Sequence, residues 1–189
     1  MVKSFANIAV SASSGRALAV SALAIGIAVA APLLYMYERA QSLPKIHDIS
    51  TDTSDPPAFV AVLPLRQGAR NPVDYRPDTA VQQQRGYADI APLRLNVTPA
   101  EAFARAERAA RSMRWQMVDA APAALRIEAT DTTLLFGFKD DIVVRVTPEG
   151  AGSRVDVRST SRVGRSDFGA NAKRIRRFMR QLDAAQAGA

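Results

Sequence analysis

Residues 17–37 form an apolar run of 21 residues without a charged side chain, which limits the architectures open to this chain. As an α-helix the run would extend about 31 Å, roughly the hydrocarbon thickness of a bilayer. Arg16 and Glu38 flank it, and Tyr35 and Tyr37 lie where interfacial aromatic residues occur in membrane helices. We therefore expect a single-pass transmembrane anchor between a short N-terminal tail, residues 1–16, and a linker, residues 38–46.

A cleaved signal peptide is the alternative interpretation of this run. Residues 28–30, Ala-Val-Ala, resemble a small-residue cleavage site. The apolar run continues past that site through Met36, however, and a signal-peptide core needs only about 7–15 residues. The length of the run therefore favours an uncleaved anchor in the cell membrane.

The basic residues near the run do not determine its orientation. Lys3 and Arg16 lie on one side, and Arg39 and Lys45 lie on the other. A short tail before a large C-terminal domain favours a signal-anchor that places the domain outside the cytoplasm, in the periplasm. A cytoplasmic domain is the alternative.

The scarcity of cysteine and histidine excludes several kinds of chemistry. The 189 residues include no Cys and one His, so disulfides, thiolate nucleophiles and cysteine-based metal centres are excluded. Most Ser-His-Asp and multi-histidine metal schemes are also excluded. We expect neither a metal nor a cofactor, and a non-enzymatic function is favoured over catalysis.

The segment after the anchor is rich in proline. Residues 41–99 contain eight of the eleven prolines, which argues against long helices there. We expect an extended wrap over residues 47–97, with a short strand at 58–65. His47, Asp48, Asp52 and Asp55 match no metal-binding spacing and are interpreted as solvated linker.

Regular patterns return in residues 98–184. Thr98, Pro99 and Glu101 form a capping box that predicts a helix to about Met113. Strand-like runs follow at 115–119, 125–130, 133–138, 141–147 and 154–163, with Glu128 and Thr130 predicted to face outward. A last helix follows Ser166 and Asp167, with its apolar stripe at Ile175, Phe178, Met179 and Leu182. Residues 47–184 are thus predicted to form a two-layer α+β domain, an antiparallel meander of four to five strands packed with two helices.

The last two strands have a preferred register. Placing Val146 opposite Val155 also sets Arg145 against Asp156, so that apolar residues meet on one face and opposite charges on the other. The same register places Asp141 opposite Thr160.

The net positive charge of the chain is concentrated in one segment. Residues 151–180 carry nine basic and two acidic residues, which equals the +7 of the whole chain. Arg158, Arg162 and Arg165 lie where a strand leads into a helix N-terminus, a place that favours anions. We expect an anion-binding or ligand-binding site there, completed by Asn171 and Arg174.

Three alternatives to this anion site stay open. In the first, aspartates neutralise the arginines in a structural network and do not merely orient them for a ligand. These aspartates are Asp140, Asp141, Asp156 and Asp167. In the second, the protein is an enzyme that acts on an anionic envelope substrate through Asp140 or Asp141. Adjacent residues of a strand point to opposite faces, which disfavours a shared substrate. A purely structural envelope protein is a further possibility.

The expected partners follow from location and charge. The basic final helix has an apolar stripe best explained as core, and few aromatics are available for stacking on bases, so no nucleic acid is expected. Anionic lipid or a protein partner at the membrane fits better.

Five segments of the sequence resemble the domain-of-unknown-function family 1499. They are His47-Asp48-Ile49-Ser50-Thr51-Asp52, Asp55-Pro56-Pro57-Ala58-Phe59, Tyr87-Ala-Asp-Ile90-Ala-Pro92-Leu93, Phe138-Lys-Asp140-Asp141 and the long motif from Asp156 to Asn171. The resemblance covers residues 43–183. It implies a bacterial, membrane-associated protein without an established activity, and it transfers no catalytic residue. It also implies that the proline-rich stretch belongs to the domain.

Overall fold

The N-terminal part of the chain is one long helix. The structure, a computed structural model, describes residues 3–133 and 136–187. Helix α1, Lys3–Ser42, includes Pro32 and contains the segment Gly15–Tyr35, which is long and apolar enough to cross a membrane. Signal sequences share these features. The predicted boundaries at residues 16 and 38 fall inside this uninterrupted helix.

The rest of the chain, Pro44–Ala189, forms a separate compact unit. Its elements are β1 (Asp48–Ser50), α2 (Pro77–Gly86), β2 (Leu93–Leu95), α3 (Pro99–Ser112), β3 (Gln116–Ala121), β4 (Arg126–Thr132), β5 (Lys139–Glu149), β6 (Gly152–Ser161) and α4 (Ala170–Ala187). The strands form one six-stranded antiparallel sheet in the order β1-β6-β5-β4-β3, and β2 also pairs with β6. The predicted α+β architecture is confirmed.

The β5–β6 register is the one that charge and hydrophobicity predict. Val146 pairs with Val155, Arg145 with Asp156 and Asp141 with Thr160. This alternation places apolar residues on one sheet face, where α3 and α4 cover them. The core between the layers contains Trp115 stacked on Phe178, with ring centroids 5.2 Å apart.

The second face of the sheet is covered as well, by residues 55–75, which we call the covering segment. Phe59 and Val62 of this segment form a buried cluster with Val143 of β5. Glu128 and Thr130, predicted to face solvent, lie beneath the segment and are buried. The prediction of outward side chains is therefore wrong for these two residues, because the covering segment replaces solvent on that face.

Two predicted strands are absent from the described residues. Residues 58–65 form no strand. The backbone turns and enters a short 3₁₀ helix, Leu63–Arg66, because the carboxylate of Glu128 accepts hydrogen bonds from the N–H groups of Val60 and Val62. In the second run, residues 133–138, the N–H of Thr133 donates to the carbonyl of Phe138, which closes a turn between β4 and β5. Residues 134 and 135 of that run lie outside the described residues.

Candidate functional site

The sheet separates the residues of the predicted anion site. Successive side chains of β5 and β6 alternate between faces. Asp141, Arg158 and Arg162 therefore lie beneath the covering segment, whereas Asp140 faces α4, which carries Asn171 and Arg174. The predicted residues form two clusters on opposite faces and a separate exposed residue, Arg165.

The first cluster is centred on the buried carboxylate of Asp141. Its Oδ2 accepts hydrogen bonds from Arg66 Nη1 at 2.5 Å and from Arg162 Nε at 2.9 Å. Its Oδ1 accepts from Arg162 Nη2 and from Thr130 Oγ1, both at 2.8 Å. Burial by itself raises the pKa of Asp141, but the hydrogen bonds from Arg162, Thr130 and Arg66 outweigh burial and hold the pKa below its usual value. Asp141 is therefore a charged structural anion at neutral pH.

Arg158 is enclosed on the same face. Its guanidinium binds Asp48 through two nitrogens, Nε at 3.0 Å and Nη2 at 2.7 Å, and Nη2 also donates to the carbonyl of Val73. The guanidinium lies over the ring of Phe59, 5.1 Å from its centroid. Arg158 is 4% exposed, so these contacts leave little of its surface for an external anion.

The second cluster lies between the sheet and α4. Arg174 donates from Nη2 to Asp140 at 2.6 Å and from Nε to Asp131 at 2.8 Å. Its Nη1 donates to Ser159 Oγ at 3.0 Å and to the side-chain oxygen of Asn171. Asp140 and Arg174 are both buried. This cluster attaches α4 to the ends of β4 and β5.

The helix N-terminus that was expected to bind an anion holds a carboxylate of the chain itself. Asp167 Oδ1 accepts the N–H of Gly169 at 2.9 Å, and Oδ2 accepts the N–H of Asn171 at 2.8 Å. Burial raises the pKa of Asp167, although these two backbone hydrogen bonds act in the opposite direction. Asp167 thus caps α4 instead of orienting the arginines.

The carboxylates that pair with the arginines come from distant parts of the sequence. Asp48, expected in a solvated linker, is buried in β1, and Asp52 pairs with Arg154 at 2.6 Å. The linker interpretation is therefore wrong for these residues. Arg66, one of the two arginines that pair with Asp141, had no recognisable motif. The available signal was charge balance: residues 151–180 carry nine basic and two acidic residues, so carboxylates from other parts of the chain are needed to pair with most of these cations.

A shallow pocket of about 240 Å³ lies apart from both clusters, between α3 and α4. Its lining residues are Arg105, Arg108, Ala109, Ser112 and Gln181. Within residues 3–133 and 136–187, no group of three or more His, Asp or Glu side chains is placed to hold a metal ion.

Comparison with known proteins identifies a family. A family model described as a protein of unknown function, DUF1499, matches residues 48–182, which confirms the resemblance seen in the sequence. No curated protein matches the chain.

Three solved structures are similar to part of the chain. Ara h 8.0201 has 10% identity and a TM-score of 0.38, covering 52% of this chain and 95% of its own. CalU16 from Micromonospora echinospora has 12% identity and a TM-score of 0.31, covering 51% and 83%. TTHA0849 from Thermus thermophilus has 13% identity and a TM-score of 0.31, covering 50% and 96%.

Proposed function

This chain belongs to the DUF1499 family of proteins of unknown function, and we propose a function for it from its own geometry. The protein is a single-pass membrane-anchored domain that binds an anionic partner without carrying out a reaction. The proposal places the domain on the periplasmic side of the membrane, an orientation that fusion proteins test below.

The apolar side chains of α1 support the membrane anchor. Within Gly15–Tyr35 the large apolar residues are exposed, for example Leu18 at 72% and Ile25 at 66%. A continuous apolar helix of this length is most stable in a hydrocarbon environment.

A stripe of unpaired cations on α4 carries the proposal of an anionic partner. Lys173, Arg177 and Arg180 follow one another at helical spacing, are exposed, and have no ion pair among the described residues. Their neighbours Arg174 and Arg176 are paired, with Asp140 and Asp89 respectively. The fold therefore neutralises the inward-facing cations of residues 151–180 and leaves this stripe available for an external anion.

This proposal places the anion contact on the surface of α4, whereas the sequence predicted it at the end of the last strand. Arg158, Arg162 and Arg174 support the structural network instead, because carboxylates of the chain already occupy them. The alternative of an enzyme that uses Asp140 or Asp141 has no support, since the two carboxylates bind arginines on opposite faces of the sheet.

Two charge-reversal variants test the stripe. R177E/R180E reverses two of its three cations, and R85E/R114E makes the same charge change at two other exposed arginines that have no ion pair among the described residues. Full-length protein in neutral lipid discs is titrated with phosphatidylglycerol vesicles and with polyglutamate. We expect R177E/R180E to abolish binding of at least one probe and R85E/R114E to retain it. Equal loss of binding in both variants would show that net charge, and not the stripe, is responsible for binding. Wild-type protein that binds neither probe would contradict the proposal.

Membrane orientation is tested separately. An alkaline phosphatase fusion at the C-terminus should be active in cells and a green fluorescent protein fusion dark, since the first folds outside the cytoplasm and the second inside. The reverse result would place the domain in the cytoplasm.

A further inference from the structure

Four segments of the domain meet at the end of the sheet where β5 begins and β6 ends. The N–H of Arg162 donates to the carbonyl of Lys139 at 3.0 Å, and the N–H of Asn71 donates to the carbonyl of Arg162 at 3.1 Å. The N–H of Ser161 donates to the carbonyl of His47 at 2.9 Å. The start of the domain, the covering segment, the β4–β5 turn and the β6–α4 loop therefore lie side by side at this end.

The exposed phenylalanines of the domain are all at this end. Of the phenylalanines whose side chains the structure describes, those at 59, 103 and 178 are buried. The other three are exposed: Phe136 at 74%, Phe138 at 50% and Phe168 at 69%. The rings of Phe136 and Phe138 stack with centroids 5.6 Å apart. Exposed aromatic residues confined to one end of a domain indicate a surface that contacts an apolar or interfacial partner.

The conformation of the β6–α4 loop keeps Phe168 in this exposed position. Phe168 has a φ of 51°, in the left-handed region that bulky residues rarely adopt. The hydrogen bond from its N–H to Ser166 Oγ, at 3.2 Å, and the Asp167 cap that follows hold the loop in this shape.

Cations without carboxylate partners lie in the same four segments. Lys45, Lys139 and Arg165 are exposed and have no ion pair among the described residues. Aromatic rings interspersed with basic residues are the composition that binds the headgroup region of anionic bilayers, where rings enter the interface and cations meet the lipid phosphates. We call Lys45, Lys139, Arg165, Phe136, Phe138 and Phe168 the sheet-end surface.

We propose that the sheet-end surface docks on the anionic headgroups of the same bilayer that holds α1, an inference that rests on the membrane anchor proposed above. Lys45 follows Tyr35, the end of the apolar span, by ten residues. Ten residues reach at most about 35 Å, so this end of the domain stays close to the membrane. A tether of this length gives a high effective concentration, and weak contacts then suffice for docking.

Nitroxide labels on single cysteines test the docking in full-length protein. The native chain has no cysteine, so V163C places one label in the β6–α4 loop, and A151C places a control label at the β5–β6 turn. About ten strand residues, roughly 33 Å, separate the two labels. The protein is reconstituted in discs of phosphatidylcholine alone or mixed with phosphatidylglycerol. The measurement is the accessibility of each label to oxygen and to a water-soluble nickel chelate.

We expect the V163C label to lose nickel accessibility in anionic discs and the A151C label to remain accessible in both. Adding K139Q and R165Q to V163C should lower the ratio of docked to undocked protein about fivefold for each cation removed. F136S/F168S should reduce the depth of the label. In every variant the fluorescence of buried Trp115 serves as the folding control.

Carbonate extraction of the same discs separates the two proposals. Release of the protein by carbonate would overturn both the anchor and the docking that rests on it. Protein that stays in the discs with a V163C label as accessible as A151C would overturn the docking alone. Equal protection in neutral and anionic discs would overturn the role of the headgroup charge.

Discussion

At the scale of single residues, the buried carboxylate of Asp141 has the most consequential surroundings. Arg66 and Arg162 both donate to it, and the Asp141 side chain has no exposure to solvent. A buried charge is stable only while its oppositely charged partner is present, because both groups have lost their hydration. The arrangement makes the β5–β6 end of the sheet sensitive to a single uncharged substitution.

Asp141→Asn should therefore be strongly destabilising. The amide leaves two arginines without their shared carboxylate, at a cost of about 3–5 kcal/mol in the free energy of unfolding. Urea unfolding followed by Trp115 fluorescence measures this change. Asp78→Asn is the matched control, because Asp78 pairs with Arg76 in solvent, with side-chain exposures of 58% and 70%. Its cost should stay below about 1 kcal/mol, and equal costs for the two variants would contradict the buried-pair interpretation.

The effect of Asp141→Asn should also depend on pH. The pKa of Asp141 is lowered in the folded state, so its stabilisation is complete above the ordinary value of 3.8 and is lost as the pH falls through the folded-state pKa. The difference in unfolding free energy between wild type and variant should thus shrink as the pH falls below 3.8. Urea titrations at a series of acidic pH values test this, and a difference that stays constant would show that charge is not the cause.

At the scale of elements, the start of α4 depends on one carboxylate. Asp167 accepts the N–H of Gly169, just before α4, and the N–H of Asn171 in its first turn, while burial raises the pKa of Asp167. Asp167→Ala removes both hydrogen bonds and should cost about 1 kcal/mol. Asp167→Asn retains an acceptor and removes the charge that burial disfavours, so it should cost less.

The sign of the pH dependence at Asp167 is opposite to that at Asp141. With a raised folded-state pKa, the contribution of Asp167 is complete below 3.8 and is lost as the pH rises through the folded value. Asp167→Asn should therefore gain stability relative to wild type as the pH rises from about 4 to 7. Urea unfolding of both variants across this range is the measurement, and an Asn variant as unstable as Ala at neutral pH would contradict it.

The elements also show how far the sequence predicts this fold. The β5–β6 register was predictable, because alternation of valines with Arg145 and Asp156 leaves one pairing that satisfies both faces. The helix at 99–112 was predictable from its capping box, and Thr98 does accept the N–H of Glu101. The covering segment was not predictable, since side chains such as Glu128 hold its backbone and such contacts have no sequence period.

The members of the candidate site were predictable only in part, and their arrangement was not. Alternation along the strand correctly separated Asp140 from Asp141, yet the carboxylate of Asp48 reaches Arg158 from 110 residues away. The turn between β4 and β5 was mistaken for a strand because its apolar residues, Phe136 and Phe138, resemble core residues. Both side chains are exposed in the folded domain, and no local sequence pattern distinguishes such exposed apolar residues from buried ones.

At the scale of the whole molecule, the question is where the self-sufficient domain begins. Among the described residues, the buried core runs from Ile46 to Leu182. Ile46 was expected in the linker, but it is 3% exposed, and its carbonyl accepts the N–H of Asp167 at 3.2 Å. The domain therefore begins at the residues that immediately follow α1.

Two truncations locate this beginning. A chain that starts at Pro44 retains the whole compact unit and should unfold with the same free energy as the full-length domain, within about 0.5 kcal/mol. A chain that starts at Thr53 loses β1, and with it the buried Ile49 and the carboxylate that neutralises Arg158. Loss of Ile49 costs about 2–5 kcal/mol in the free energy of unfolding, and loss of the carboxylate costs about 3–5 kcal/mol. Together they are comparable to the whole stability of a domain, so this chain should not fold. Circular dichroism and urea unfolding decide the matter, and a cooperative transition in the shorter chain would show that the domain begins after β1.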